Sequence, residues 1–510
     1  MTKELSIDQL QALVKQLEQD NKSLLKDNGK LKKNAKEMQR QIDLLISKLN
    51  LSNSKRFGKQ SEKAPRGTFN EAESTKSATE PKHHNKGKQN LPEHLEREEV
   101  EHRLEDTNCG CCGHQMHVCG SEESEQIKII PAKISVIKHK QLKYACRECE
   151  HTQIKNKVVT ASKPKQPIPR SIASPEALAA VVTAKYCDAL PLYRQVEIFK
   201  RGGLDLSRGT LANWCVKSGA ILKPLVKAMQ QHLVTQHSLC ADETRVQVLD
   251  EPDKSATSQS YMWVYRSNEV SKQPVVIYDY QPGRSRQSLI SFLQGFKGYL
   301  QCDGYRVYDN VEGILPVGCW AHTRRKYDEA LRAEKKSKGR AHKAISFISK
   351  LYKIENQLKA KGLSVAQRYQ LRQEKARPIL DAFKLWLDET DEKLINKSYI
   401  ATAVKYTLNQ WEKLIRYIED GELGIDNNIT ERDIRPFTTG RKNWMFCQSV
   451  KGAEASSVLY SIVMTCRAND INPYYYFLHL FKTLPNLDDK SDLTALMPWN
   501  VQLDYASALA

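Results

Sequence analysis

The sequence predicts a multidomain α/β protein. A mixed sheet carrying a helical insertion is preceded by a coiled coil, a zinc ribbon and a helix-turn-helix-like helical domain. Three observations predict this. A seven-residue apolar repeat fills the first fifty residues, two Cys-x-x-Cys pairs lie between Cys109 and Cys149, and the apolar period falls from about 3.6 to 2 at Ser238.

In the repeat, Leu10, Leu17, Leu24, Leu31, Met38 and Leu45 share one heptad position, and Val14, Asn21, Asn28, Ala35, Ile42 and Leu49 share the other. Leucine at d with asparagine at two consecutive a positions favours a parallel dimer, because buried asparagines pair well only in register. Residues 1–50 are therefore expected to be a dimerisation helix. From 51 to 90 the chain turns to Ser, Lys, Glu, Gly and Pro, too polar to offset the entropy of ordering, and is expected to be a linker. The Cys-bearing unit occupies 91–165, and the Pro-rich stretch Lys163 to Pro169 closes it.

A helical domain is expected over 170–235. Ser174-Pro175 reads as an N-cap with Pro at N1, Tyr193 to Lys200 as a short helix, Gly202-Gly203 as a break and Ser207 as the next cap. Arg208 and Asn213 then fall near the start of a candidate recognition helix. Strands are expected at Ser238 to Leu249, Tyr261 to Arg266, Pro274 to Tyr280, Gly298 to Asp303 and Leu315 to Trp320, with a helix near Ser285 to Gln294. This α/β domain spans 236–445 and is interrupted by a helical insertion at about 340–425, in which one continuous helix is expected through Val404, Leu408, Trp411, Leu414 and Ile418. The last part, 446–510, reads as helical until Asn472-Pro473.

Composition narrows the function. Lys and Arg outnumber Asp and Glu by 79 to 60, and the net charge of +19 favours a polyanion, nucleic acid first. No apolar run approaches the roughly 18 residues of a membrane span, and residues 1–17 lack the apolar core of a signal peptide. The 13 cysteines are thus expected in a reducing cytoplasm, as thiols or metal ligands.

Two kinds of site follow from the residues. Cys109, Cys112, Cys146 and Cys149 form two knuckles suited to one tetrahedral Zn²⁺, with Cys111, Cys119, His114 and His151 as rival ligands. In an RNase H-like sheet the first and fourth strands adjoin, so Asp242 within the first and Asp303 ending the fourth would meet. Glu431, opening a short helix after the insertion, would supply a third acid. Capping-box spacing with Asn428 and an i,i+4 pair with Arg435 offer Glu431 a purely structural role, and Asp250, Asp279 and Asp309 are rival acids.

The motifs Ala241-Asp-Glu-Thr244, Cys302-Asp-Gly-Tyr305 and Cys319-Trp-Ala-His-Thr-Arg-Arg-Lys-Tyr327 occur in that order. Asp426-Asn-Asn-Ile-Thr-Glu-Arg432 and Gly440-Arg-Lys-Asn-Trp444 follow. Together they resemble the insertion sequence 66 family of DDE transposases over nearly the whole chain, departing at Arg245, where that family commonly has Pro. The resemblance implies an RNase H-like core in which Asp242, Asp303 and Glu431 bind two Mg²⁺ ions, Mn²⁺ being an alternative. It implies cleavage of transposon-end DNA, strand transfer of the 3′-hydroxyl into target DNA, a place on the bacterial nucleoid and small accessory transposition proteins. His322, Arg324, Arg325 and Lys326, with Arg432, Arg435, Arg441 and Lys442, are then expected to face DNA phosphates. The competing readings are a non-enzymatic dimeric zinc-containing DNA-binding regulator and, through His322-Thr-Arg-Arg325 with Tyr474 to Tyr476, a tyrosine recombinase.

Overall fold

The computed structural model describes residues 7–57, 134–144, 159–334, 339–392, 394, 398–488 and 491–503. The chain divides into two compact units, 1–73 with 161–510, and 74–160. In the smaller one, Lys143–Tyr144 pairs antiparallel with Val159–Thr160. The four cysteines expected to hold zinc lie outside the described residues. Residues 134–142 carry no strand.

The larger unit is mixed α/β. Its sheet has six strands: β1 (Ser238–Asp250), β2 (Gln259–Ser267), β3 (Val276–Gln281), β4 (Gly298–Gln301), β5 (Ile314–Val317) and β6 (Cys447–Ser449). The order is β3-β2-β1-β4-β5. β1, β2 and β3 run antiparallel, β4 and β5 run parallel to β1, and β6 pairs with the far end of β1. The first and fourth strands are therefore neighbours. Both faces are covered, so the strands read as near-continuous apolar runs such as Val275 to Tyr278.

α1 (Ile7–Phe57) leads the unit. α2 (Pro175–Tyr186), α3 (Leu192–Arg201) and α4 (Arg208–Leu233) precede the sheet, and the caps stand where expected: Ser174 accepts from the Ala177 amide and Ser207 from that of Thr210. α5 (Arg286–Phe292) follows β3. Trp320, expected to end a strand, instead opens α6 (Trp320–Glu334): the strand stops at Val317, and the Gly318 and Trp320 amides turn to the Lys413 and Ile425 carbonyls of the insertion.

The insertion contains α7 (Arg340–Ala360), α8 (Val365–Leu371), α9 (Arg377–Asp391), α10 (Tyr399–Asn409) and α11 (Trp411–Ile415). The helix expected to run through Val404 and Ile418 is broken at Gln410, a break that the continuous apolar spacing conceals. α12 (Asn428–Trp444), expected to be short, runs for 17 residues. α13 (Val450–Ala468) and α14 (Pro473–Thr483) follow, and Pro473 starts a helix at N1 rather than ending one.

Two apolar cores result. One joins α2, α4, the sheet, α13 and α14, and the other fills the insertion around Trp320, Phe383 and Trp411. α13 also shields the free edge of β3: Ser461 and Thr465 accept from the amides of Tyr278 and Val276 at 2.8 and 3.1 Å. α4 and α13 cross where a Cβ on Gly219 would fall 2.7 Å from Ala455, so only glycine permits the approach. No described helix is long and apolar enough to cross a membrane.

Candidate active site

β4 pairs with β1 only from Ser238 to Cys240. Just past that point lies Asp242, whose Oδ1 accepts from the Glu243 amide at 2.8 Å. Asp303 stands two residues beyond the end of β4, in a turn rather than in the strand as expected, and its Oδ1 accepts from the Tyr305 amide at 2.8 Å.

The third acid is brought in by Asn427. Its Nδ2 donates to the Ala241 carbonyl at 2.9 Å, its amide donates to Cys319 Sγ at 3.3 Å, and its Oδ1 accepts from Thr430 Oγ1 at 2.6 Å. One buried residue, through its side chain and its amide, thus ties the start of α12 both to the strand carrying Asp242 and to the loop entering α6. Glu431 sits one residue past the capping-box position, since Asn427 is the N-cap and makes no side-chain cap. Its ionic partners are His322 Nε2 and Arg325 Nη2, each at 3.7 Å, rather than Arg435.

Asp242 feels the charge of the other two acids. The Asp242 carboxyl is pushed well above the usual range by burial, then by Glu243, with Asp303 and Glu431 adding to it. Glu243, its side chain 2% exposed, is raised by burial and opposed by Tyr308 Oη, which donates to it at 2.6 Å, and by Arg284, which is ion-paired with it. Arg284 also lies 3.9 Å from Asp303 and stacks 3.5 Å from the centre of the Tyr305 ring. His322 is held below the usual histidine range by burial, and its Nδ1 is buried without a partner.

Such a site asks for positive charge. Hard carboxylate oxygens from Asp242, Asp303 and Glu431 suit Mg²⁺ or Mn²⁺, and the mutual repulsion that raises Asp242 is what a divalent cation would relieve. As placed, no three His, Cys, Asp or Glu side chains among the described residues form a closed ligand set. Metal binding by these acids would therefore require side-chain adjustment.

The Transposase IS66 family model matches residues 170–455. The chain belongs to that family. The zinc-finger binding domain of transposase IS66 matches 106–150, and the IS66 C-terminal element matches 461–499. Two proteins of Sinorhizobium fredii (strain NBRC 101917 / NGR234) are similar along most of their length. Uncharacterized protein y4qI is 32% identical over 428 residues, 81% of this chain and 77% of its own. Uncharacterized protein y4jD is 30% identical over 434 residues, 82% of this chain and 83% of its own.

The basic residues of this IS66-family chain fall into separate groups. His322 and Arg325, on the first turns of α6, reach Glu431. Arg324 pairs with Asp328 at 4.0 Å, and Lys326 lies 5.9 Å from the Tyr406 ring. Arg432, Arg435 and Lys442 are exposed along α12, and Arg441 turns back to donate to the Arg245 carbonyl. Arg208 and Asn213 are exposed on the first turns of α4. The rival acids are engaged elsewhere: Asp309 with Lys413, Asp250 with Gln448 and Asp279 with Gln281. Glu243, Arg284, Tyr308 and Asn427 were not singled out as site residues. Glu243 had a visible signal, as the second acid of the Asp-Glu-Thr run, and Asn427 stands in the Asp-Asn-Asn motif; Arg284 had none.

Proposed function

We propose that the chain is a DDE-type transposase with an RNase H-like catalytic domain. It binds the terminal inverted repeats of its element, cleaves there, and joins the freed 3′-hydroxyl to target DNA. One observation carries the reading: Asp303 and Glu431, remote in sequence from Asp242 and from each other, lie close enough to β1 for both their charges to act on the Asp242 carboxyl. The strand order β3-β2-β1-β4-β5 supports the RNase H-like assignment.

In this reading Asp242, Asp303 and Glu431 would hold two divalent ions, Mg²⁺ or Mn²⁺. Such ions, when bound, favour an attacking oxygen and a leaving oxygen at the same phosphorus. Water first breaks the P–O3′ bond at the element end, leaving a 3′-hydroxyl. That hydroxyl then attacks a target phosphodiester, exchanging one P–O bond for another without a covalent protein intermediate. His322, kept neutral by burial, can hold a proton at Nε2 beside Glu431, and Arg325, 57% exposed, offers its charge to the phosphate backbone. Arg284 neutralises Glu243, so that this fourth carboxylate does not compete for cation. Arg208, Asn213, Arg432, Arg435 and Lys442 supply further DNA contacts, and a zinc ion on Cys109, Cys112, Cys146 and Cys149 staples the ribbon.

The test is Mg²⁺-dependent nicking and joining of the element's own end DNA. Asp242→Asn, Asp303→Asn and Glu431→Gln are each expected to lower both steps by more than about 100-fold, beyond the usual cost of an outer-shell change. DNA binding should persist. Activity surviving these changes would place the chemistry on other residues, and a wild type that neither nicks nor joins would leave a DNA-binding regulator as the better account.

A further inference from the structure

Beside the acids lies a second, open pocket, lined by Glu243, Thr244, Arg245, Tyr261, Arg284 and Arg441. Its charges do not balance. The one carboxylate on its wall, Glu243, is already taken by Arg284 and Tyr308. Among the described residues neither Arg245 nor Arg441 has a carboxylate partner, yet Arg441 donates to the Arg245 carbonyl and reaches Thr244 Oγ1 at 3.3 Å, which brings two cations to one rim. Burial and the charge of Arg245 both lower the pKa of Arg441. Arg284 Nε is buried without an acceptor. Cations held together, with a buried donor left over, are costly unless an anion sits between them.

The occupant is narrowed by what the pocket lacks. Arg284 stacks on Tyr305 and lies 6.0 Å from the Tyr261 ring, so these rings are engaged by a guanidinium rather than offered to a base. Guanidinium forks match phosphate oxygens. Resting on the transposase reading, we propose that this pocket is a subsite for one DNA backbone phosphate adjacent to the reacting phosphodiester, held by Arg245, Arg284 and Arg441. Because Arg284 lies 3.9 Å from Asp303, the subsite shares a wall with the three acids. A filled pocket would register the strand against them without reading its sequence.

The experiment uses the full chain with end and target duplexes, each carrying a single uncharged methylphosphonate at successive positions near the reacting bond. For the wild type, one position should reduce cleavage or joining by about tenfold, the scale of one charge-assisted contact. Arg245→Gln should be similarly slow on unmodified DNA and lose nothing more at that position, while Arg245→Lys retains part of the penalty. Arg245 is exposed, so its replacement leaves the fold intact, and Arg441→Gln provides a second arm. Separately, Arg245→Gln should lower the salt dependence of binding by about one phosphate contact. Whether the sensitive position lies in end or target DNA tells which strand fills the pocket. Losses that multiply at every position, or an unchanged salt slope, overturn the proposal. Failure of the wild type to cut unmodified end DNA overturns the reading beneath it instead.

Discussion

Asp242 and Asp279 belong to the same sheet and meet different fates. Asp242 gathers acids around it, whereas Asp279, opposite Trp263 in the β2–β3 ladder, has a hydrogen bond from Gln281 Nε2 at 2.8 Å and feels the opposed charges of Glu454 and Lys223. Burial pushes Asp279 up to about 6. A carboxyl whose folded pKa is raised binds more protons in the native state than in the unfolded one, so stability falls as pH climbs from about 4 to about 6 and stays reduced above. Asp279→Asn keeps the acceptor for Gln281 and removes the charge. It is expected to stabilise the protein by up to about 3 kcal/mol near pH 8, at about 1.4 kcal/mol per unit, and by almost nothing near pH 4. Urea unfolding at the two pH values checks this, and an equal gain at both would show that burial of charge is not the cause.

The insertion acts on the site through one π-helical turn, Arg372–Ala376, between α8 and α9. There Arg372, fully buried, grips Glu355 with two bonds at 2.9 and 2.7 Å and donates to the carbonyls of Tyr417, Asp420 and Leu423. Those carbonyls line the turn that delivers Asn427 and then Glu431. Arg372→Met strands Glu355 and releases the turn, for an expected loss of about 3–5 kcal/mol, read as a lower melting temperature. Cleavage should fall as well, although every acid remains. Nothing in the sequence distinguished Arg372 from the solvated basic residues around it, because a buried charge declares itself only through partners that are distant in the chain. The strands of the sheet were legible for the opposite reason. Their apolar residues alternate or run together locally, so Asp242 stood out among them. Glu431 was singled out by resemblance rather than by pattern, and although Asn427 belongs to the same motif, its bond to the Ala241 carbonyl of β1 is a contact that no local spacing reveals. Gln410, where two helices part, lies inside an unbroken apolar stripe that periodicity reads as one helix.

At the scale of the whole molecule, α1 bears on how many chains act together. Its end is anchored, with Leu51 buried and Asn50 Nδ2 donating to the Ala333 carbonyl at 3.4 Å. Upstream, Leu17, Leu24, Leu31, Met38 and Leu45 are all 59% exposed or more in the single chain. A stripe of that length in water calls for a partner, and a second copy in parallel register would bury it while pairing Asn21 and Asn28 with their counterparts. The full-length protein is expected to be dimeric by light scattering at micromolar concentration. Leu24→Glu combined with Leu31→Glu should make it monomeric, because like carboxylates in an apolar seam cost several kcal/mol. The three acids come from one chain, so the monomeric variant should still nick a single end in a metal-dependent way. It should fail to join two ends in concert. A dimer that survives both glutamates would assign assembly to another surface, and a monomer that joins paired ends would remove α1 from the reaction.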